Sequence, residues 1–538
     1  MDISQFTESL ELALELTIDD DSFTIPGGNV KSLKLNLHNY GFDGDLVFWE
    51  TSDQHEDKLI SAFAANDLID VTLSVKGVHN LPSSPPDPLT IKAIVTAKQV
   101  HEEYVPDVKQ HPVMYRKYTI KFEDPAHVLW KQHFPTDLFI TACMKDVIEA
   151  QVVEGIELTF DWPTLDETKP MICLGLGGPG NEASFYDFLI HYLTVNDGIL
   201  TYDYEDQSYI ISGEKSSEGE TVSFLPHEIK AVQMRWPETA RHNVNILNAL
   251  YENATTEPIT QDQAADGINH DQLIVEPIQS RFDSLKELET RKLKIHGPEL
   301  TADTLSYPYK IFWPGTIVEL KGKAWSKDLL TDDNQYRIFS QALMVEAVNA
   351  DPENDLDQKF TQYYAGYRTL LEEKDSDRIY RPDYIEPGYP IQVEGMIVSE
   401  EGKDPGKTFQ VEQDSDTQQD LYRITIPLWD KEIKILYKPD FLNPHLFFPL
   451  YRDNKLLLAL DLYEAKIIRI LDWGDRVRLP METQGNHILF GKNDKDETSM
   501  RYVYKDNKPV LSIKRLLEND TELFQMEEGV IILETKEE

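Results

Sequence analysis

Cysteine is nearly absent from this 538-residue chain, with Cys143 and Cys173 the only two. They allow no disulfide framework and no cysteine-rich zinc site, and their scarcity suits folding in a reducing compartment. Positive charge is scarce too. Lys and Arg total 52 against 95 Asp and Glu, a formal net charge of -43. Such a field repels phosphate backbones and argues against nucleic acid as a partner. No run of about 18 apolar residues occurs, so no membrane-spanning helix is expected. The start, Met1-Asp2-Ile3-Ser4-Gln5-Phe6-Thr7-Glu8, is acidic where a signal peptide carries positive charge. Synthesis in the cytoplasm without Sec export is therefore the expectation.

Catalytic signatures are missing as well. The cluster Gly175-Leu176-Gly177-Gly178-Pro179-Gly180 has neither the Lys-Ser/Thr of a phosphate loop nor dinucleotide-binding spacing. Pro179 also removes a backbone donor, so the segment reads as a loop before a helix. His101-Glu102-Glu103, His111 and His227-Glu228 do not supply the i, i+4 histidine pair of a zinc protease. There is no Gly-x-Ser-x-Gly elbow and no evident Cys/His pairing. Carboxylates are so abundant that their presence discriminates nothing. No catalytic residue, cofactor or metal ligand is assigned, and the chain is not expected to be an enzyme.

What is present is mostly strand. The length suits roughly three or four domains. Alternation in Val30 to Leu37 and apolar runs at Ile69 to Val75 and Ile91 to Val95, punctuated by turns at Pro26-Gly27-Gly28 and Leu81 to Pro86, predict small β-barrels over the first 125 residues. Helical spacing predicts helices over His133 to Glu149, Glu182 to Asn196 and Gln358 to Lys374. The second stops at Asp197-Gly198 and leads into a hairpin, Ile199 to Tyr204 and Tyr209 to Ile211. Residues 253 to 290 read as an exposed connection with a helical patch at Ser280 to Thr290. The proline-rich Tyr380 to Pro390 reads as a stiff linker. Beyond it, Ile391 to Val398, Leu421 to Ile426, Lys455 to Leu462 and Ala465 to Leu471 suit an OB-fold-like barrel. The end is a ladder of short strands, Met500 to Tyr504, Val510 to Ile513, Glu522 to Met526 and Gly529 to Leu533, separated by turn residues. A ladder so short buries its apolar side only against copies of itself, which predicts an oligomer with Val503, Leu511, Ile513, Leu523, Val530 and Ile532 at its interface, the alternative being a meander that closes an ordinary β domain.

This order of parts resembles the VgrG-like hub and spike proteins of contractile injection systems: type VI secretion, extracellular injection systems and contractile phage tails. The likeness is carried by Tyr118 to Pro125 followed by Asp146-Val147-Ile148, by Ser184 to Leu189 with Asn196 to Tyr202, and by Lys359-Phe360-Thr361 through Tyr380-Arg381-Pro382. Tyr422 to Asp430 and His487 to Gly491 continue it, and Tyr40 to Trp49 favours the extracellular branch. The resemblance implies a mainly β fold with α/β insertions. It divides the chain into a hub with two β-barrels over 1–379, a linker over 380–390, an OB-fold-like barrel over 391–495 and a trimeric β-prism over 496–538. It implies a structural role joining tail tube and baseplate to a puncturing tip. The partners would be a tail tube protein, baseplate proteins, a PAAR-like tip protein meeting Ile531, Leu533 and Thr535, and toxin cargo. The prism is short for the family and no effector domain or lysozyme-like insertion is expected. The place of work would be an assembled, released injection particle. A carbohydrate-active enzyme, with aromatic residues lining a sugar groove, and a non-contractile phage baseplate hub are the alternatives.

Overall fold

Alternate residues of the strand Thr7–Ile18 are apolar, and Leu10, Leu12, Leu14, Leu16 and Ile18 are all buried. The two-residue period sends one side of the strand into a core. The computed structural model describes residues 7–537 apart from 53–57, 79–87, 106–112, 217–220, 225–227, 250–254, 276–278, 294–296, 309–311, 321–333, 404–407, 416–418, 437–449, 473–484 and 493–495. The protein is mainly β with short helical insertions, and its described residues form two compact units. The expected turn at Leu81 to Pro86, together with His111 and His227, lies outside the described residues.

The first unit comprises Met1–Phe134, Gln151–Thr164 and Ala183–Glu386. Eight antiparallel strands close on themselves in the order Thr7–Ile18, Ile69–Gly77, Leu89–Val105, Val113–Glu123, Gly41–Ser52, Val30–His38, Gln335–Ala347 and Thr361–Glu373. The last pairs back to the first through Thr7 with Tyr364 and Leu10 with Thr361. Closure removes the sheet edges at which chains would otherwise aggregate. The last two of these strands, Gln335–Ala347 and Thr361–Glu373, also serve a second layer. They continue to Ile317–Leu320 and Val222–Phe224 on one side and to Glu299–Thr304 and Ile229–Arg235 on the other. This layer wraps its own core of Phe224, Leu300, Phe312, Val318, Ile338 and Leu371. A bulge between Ile338 and Ser340 re-aims the strand where it passes from one core to the other.

An α/β module completes this unit. Asp124 caps the helix Pro125–Trp130 by accepting the His127 amide N–H at 3.0 Å. Ser184 and Asp187 form a capping box at the start of Phe185–Asn196. That helix ends on Asp197 in the left-handed region (φ 60°) and feeds the hairpin Ile199–Asp203 and Ser208–Ser212, as the sequence suggested. Gly198 is required there because a Cβ would lie 2.4 Å from the Trp162 ring.

Three expectations need correction. Thr361–Glu373 is a strand, not a helix. Thr361, Tyr363, Ala365, Tyr367, Thr369 and Leu371 face inward at every second position, and β-branched and aromatic residues favour that period. His133 to Glu149 is not one helix but the strand Thr136–Ala142 followed by the short helix Met144–Glu149. The region 253 to 290 is not merely a connection. Thr255–Ile259 and Asn269–Ile274 flank Asn243–Asn248 in a small sheet, and Phe282 of the helix Gln279–Lys292 packs into a core with Val244, Ile246 and Ile259.

The second unit comprises Pro135–Ala150, Leu165–Glu182 and Pro387–Glu538. Its six-stranded sheet contains Ile391–Ile397, Glu412–Gln413, Asp420–Ile426, Lys431–Leu436, Lys455–Leu460 and Ala465–Asp472. The hairpin of Thr136–Ala142 and Lys169–Gly175 belongs to this unit, although it lies within the 1–379 segment expected to be hub. Leu138, Met171 and Cys173 share one core with Ile391, Tyr422 and Leu458. The Cys173 amide donates to the Leu462 carbonyl at 2.8 Å, and the Tyr389 hydroxyl donates to the Cys173 carbonyl at 2.8 Å. The glycine cluster has a packing role here: a Cβ on Gly175 or Gly178 would come within 2.7 or 2.9 Å of Ile391 Cγ2.

Candidate functional site

The C-terminal strands form a separate five-stranded antiparallel meander, in sequence order Gly485–Lys492, Asp496–Lys505, Lys508–Leu517, Asp520–Glu527 and Val530–Lys536. Two-residue turns join the last four strands. Asp506 and Asn507 have φ of 49° and 62°, Glu528 and Gly529 have 29° and 78°, and Glu518 has 54°. Positive φ in a two-residue loop gives the twist that adjoining strands require. The turns therefore fix the register: Lys505 lies opposite Lys508, which puts Tyr502 opposite Leu511 and Met500 opposite Ile513.

Residues directly opposite one another share a face. One row across the sheet is Ile488, Met500, Ile513, Phe524 and Leu533, and the next is Asn486, Tyr502, Leu511, Met526 and Ile531. This face is apolar and open. Ile488, Tyr502, Ile513 and Met526 are exposed, Ile531 is 63% exposed and Leu533 78%. The row beyond them ends the patch with Thr498, Arg515, Glu522 and Thr535, where Arg515 Nη1 meets Glu522 at 2.9 Å. The opposite face is mostly polar, with Arg501, Ser512 and Gln525 beside Ile532, and Ser499 and Lys514 beside Leu523 and Glu534. There Ser499 Oγ donates to the buried Glu497 carboxylate at 2.9 Å, and Arg501 also bonds Glu497. A contiguous exposed apolar patch beside a polar reverse is the mark of an interaction surface.

The nine residues singled out from the sequence divide between these faces. Leu511, Ile513, Ile531, Leu533 and Thr535 share the apolar one, whereas Val503, Leu523, Val530 and Ile532 lie on the reverse. Met500, Tyr502, Phe524 and Met526 complete the apolar face and were missed. The signal that would have found them is the Asp506-Asn507 turn, which sets the pairing before any strand is considered. The strand Val530–Lys536 pairs only with Asp520–Glu527 among the described residues, leaving one backbone edge open. No group of three or more His, Cys, Asp or Glu among the described residues is placed to hold a metal ion, and no described helix is long and apolar enough to cross a membrane.

No protein-family model and no curated protein matches the chain. Solved structures do. A chain of the lidded Francisella PdpA-VgrG complex is similar over 100% of this chain and 81% of that one, with a TM-score of 0.73 at 16% identity. A chain of the lidless PdpA-VgrG complex is similar over 100% of both, with a TM-score of 0.73 at 15% identity. A tail protein from Neisseria meningitidis MC58 aligns with 68% of this chain and 97% of its own, with a TM-score of 0.43 at 10% identity, too low to establish a common fold. At such identities the first two likenesses are of fold.

Proposed function

We propose that this chain is the structural hub and spike of a contractile injection machine, acting as a homotrimer. The observation that carries the reading is the exposed apolar face of the C-terminal meander. A solvent-facing sheet of this kind is stable when copies cover one another, and the whole-length likeness in fold to a chain of a PdpA-VgrG complex supports that setting. In this reading the closed eight-stranded barrel and the layer sharing its long strands form the hub that meets a tail tube protein and baseplate proteins. The six-stranded sheet is the OB-fold-like neck, and three meanders pack their apolar faces into a β-prism. The open backbone edge of Val530–Lys536, the strand that carries Ile531, Leu533 and Thr535, receives a PAAR-like tip protein that covers its unpaired backbone groups. Toxin cargo would travel with the assembled particle. The role is mechanical and no catalysis is assigned to it. Multi-angle light scattering of the purified chain is expected to give three times its 62.0 kDa mass. A monomer persisting at micromolar concentration would overturn the reading.

A further inference from the structure

The chain as a whole carries far more carboxylates than cations, yet one cleft in the first unit reverses the ratio. It encloses about 600 Å³ and is lined by seven cationic side chains against four carboxylates. Arg337 is only 7% exposed. Its Nη2 donates to the Ser216 carbonyl at 2.9 Å, while Nε and Nη1 have no hydrogen-bond partner. The nearest carboxylate, Glu372, is 3.7 Å from Nη1 through the same oxygen that Lys215 Nζ holds at 2.6 Å, and its other oxygen, Oε2, is also without a hydrogen-bond partner. Arg381 repeats the arrangement. Its Nη2 donates to the Gly198 carbonyl at 2.9 Å, its Nε is unpartnered, and Asp197 at 3.6 Å is shared with Arg291 at 3.7 Å. Two carboxylates thus each serve two cations, and two guanidinium groups keep N–H donors unused. Lys374 Nζ, also at the cleft, donates to the neutral carboxamide of Gln335 at 3.0 Å.

A buried donor left without an acceptor is costly, and such a group in a folded protein calls for a partner. Burial also pulls the Lys215 and Arg337 pKa values below their ordinary ones, the strain that a nearby negative charge relieves. We propose that this cleft binds a small, wholly polar polyanion of the phosphate class. Planar guanidinium forks match the oxygens of such a group. Ile199 and Ile379 are the bulky apolar residues of the lining, and no aromatic ring is among it, so there is no platform for a base or sugar ring. The volume suits a small ligand.

Isothermal titration of the full chain with sodium tripolyphosphate at low salt is the test. Saturable binding is expected, weakening as salt rises. Arg291→Glu, at a half-exposed position, should weaken it about tenfold or more. Arg381→Lys, which keeps the charge but loses the planar fork, should also weaken it, while circular dichroism stays that of the wild type. Absence of binding at about millimolar probe, or equal affinity in wild type and both variants, would overturn the proposal. So would a poly-glutamate peptide that binds more tightly than tripolyphosphate, which would assign the cleft to a protein partner.

Discussion

Glu8 accepts the Tyr307 amide N–H on both carboxylate oxygens, at 2.9 Å each. Burial outweighs that bond and pushes its pKa from 4.5 up to about 7. Between those values the folded chain holds a proton that the unfolded chain has released. The contribution of this group to stability is therefore complete below about pH 4.5 and is lost as pH rises through about 7. Glu8→Gln keeps an acceptor for Tyr307 and removes the titration. Urea midpoints measured at pH 5 and pH 8 should show the variant gaining on the wild type at the higher pH. A difference that is the same at both values would refute the assignment. None of this was visible beforehand. Glu8 is one acidic residue among 95 Asp and Glu, and its partner lies some 299 positions away.

Strands of period two with their turns were largely legible, because alternation and turn residues are local signals. The terminal ladder, the hairpin after Phe185–Asn196 and the strands after Ile391 stand where the pattern put them. Thr361–Glu373 misled because Gly366 and Glu372 are buried as well as the inward row, which blurs the alternation that separates strand from helix. The residues named for the ladder fall on both of its faces, because the sequence alone does not fix the register and a one-residue shift exchanges the faces. The faces can be told apart by neighbouring substitutions. Phe524→Glu places a charge in the apolar row and should weaken self-association by about 100-fold or more. Leu523→Glu, one residue earlier on the polar face, should leave it within about tenfold of the wild type. Equilibrium sedimentation of both variants decides the matter, and equal effects would discard the apolar face as the contact surface.

At the scale of the whole molecule, the core that joins the Thr136–Ala142 strand to the six-stranded sheet contains, among the described residues, none from the terminal ladder. Deleting residues 498 to 538 should therefore lower the molar mass to that of single chains while circular dichroism and the main thermal transition persist. Loss of all cooperative unfolding in that truncation would show that the ladder is part of the fold rather than an appendage to it.

The barrel's closure by strands far apart in the sequence also sets an order of events during synthesis. Residues 7–10 and 32–38 wait for partners at 361–364 and 340–346. The Tyr363 hydroxyl likewise reaches back to the Gly27 and Val30 carbonyls, 336 and 333 positions away. Contacts of such high contact order form late. The ladder, whose pairings are all between sequence neighbours, can form as soon as it is made. Residues 7–10 are thus satisfied long after the rest of their strand, which already has partners at 69–77. Through that interval the backbone edge of residues 7–10 stays open to other nascent chains, as any unpaired strand edge does.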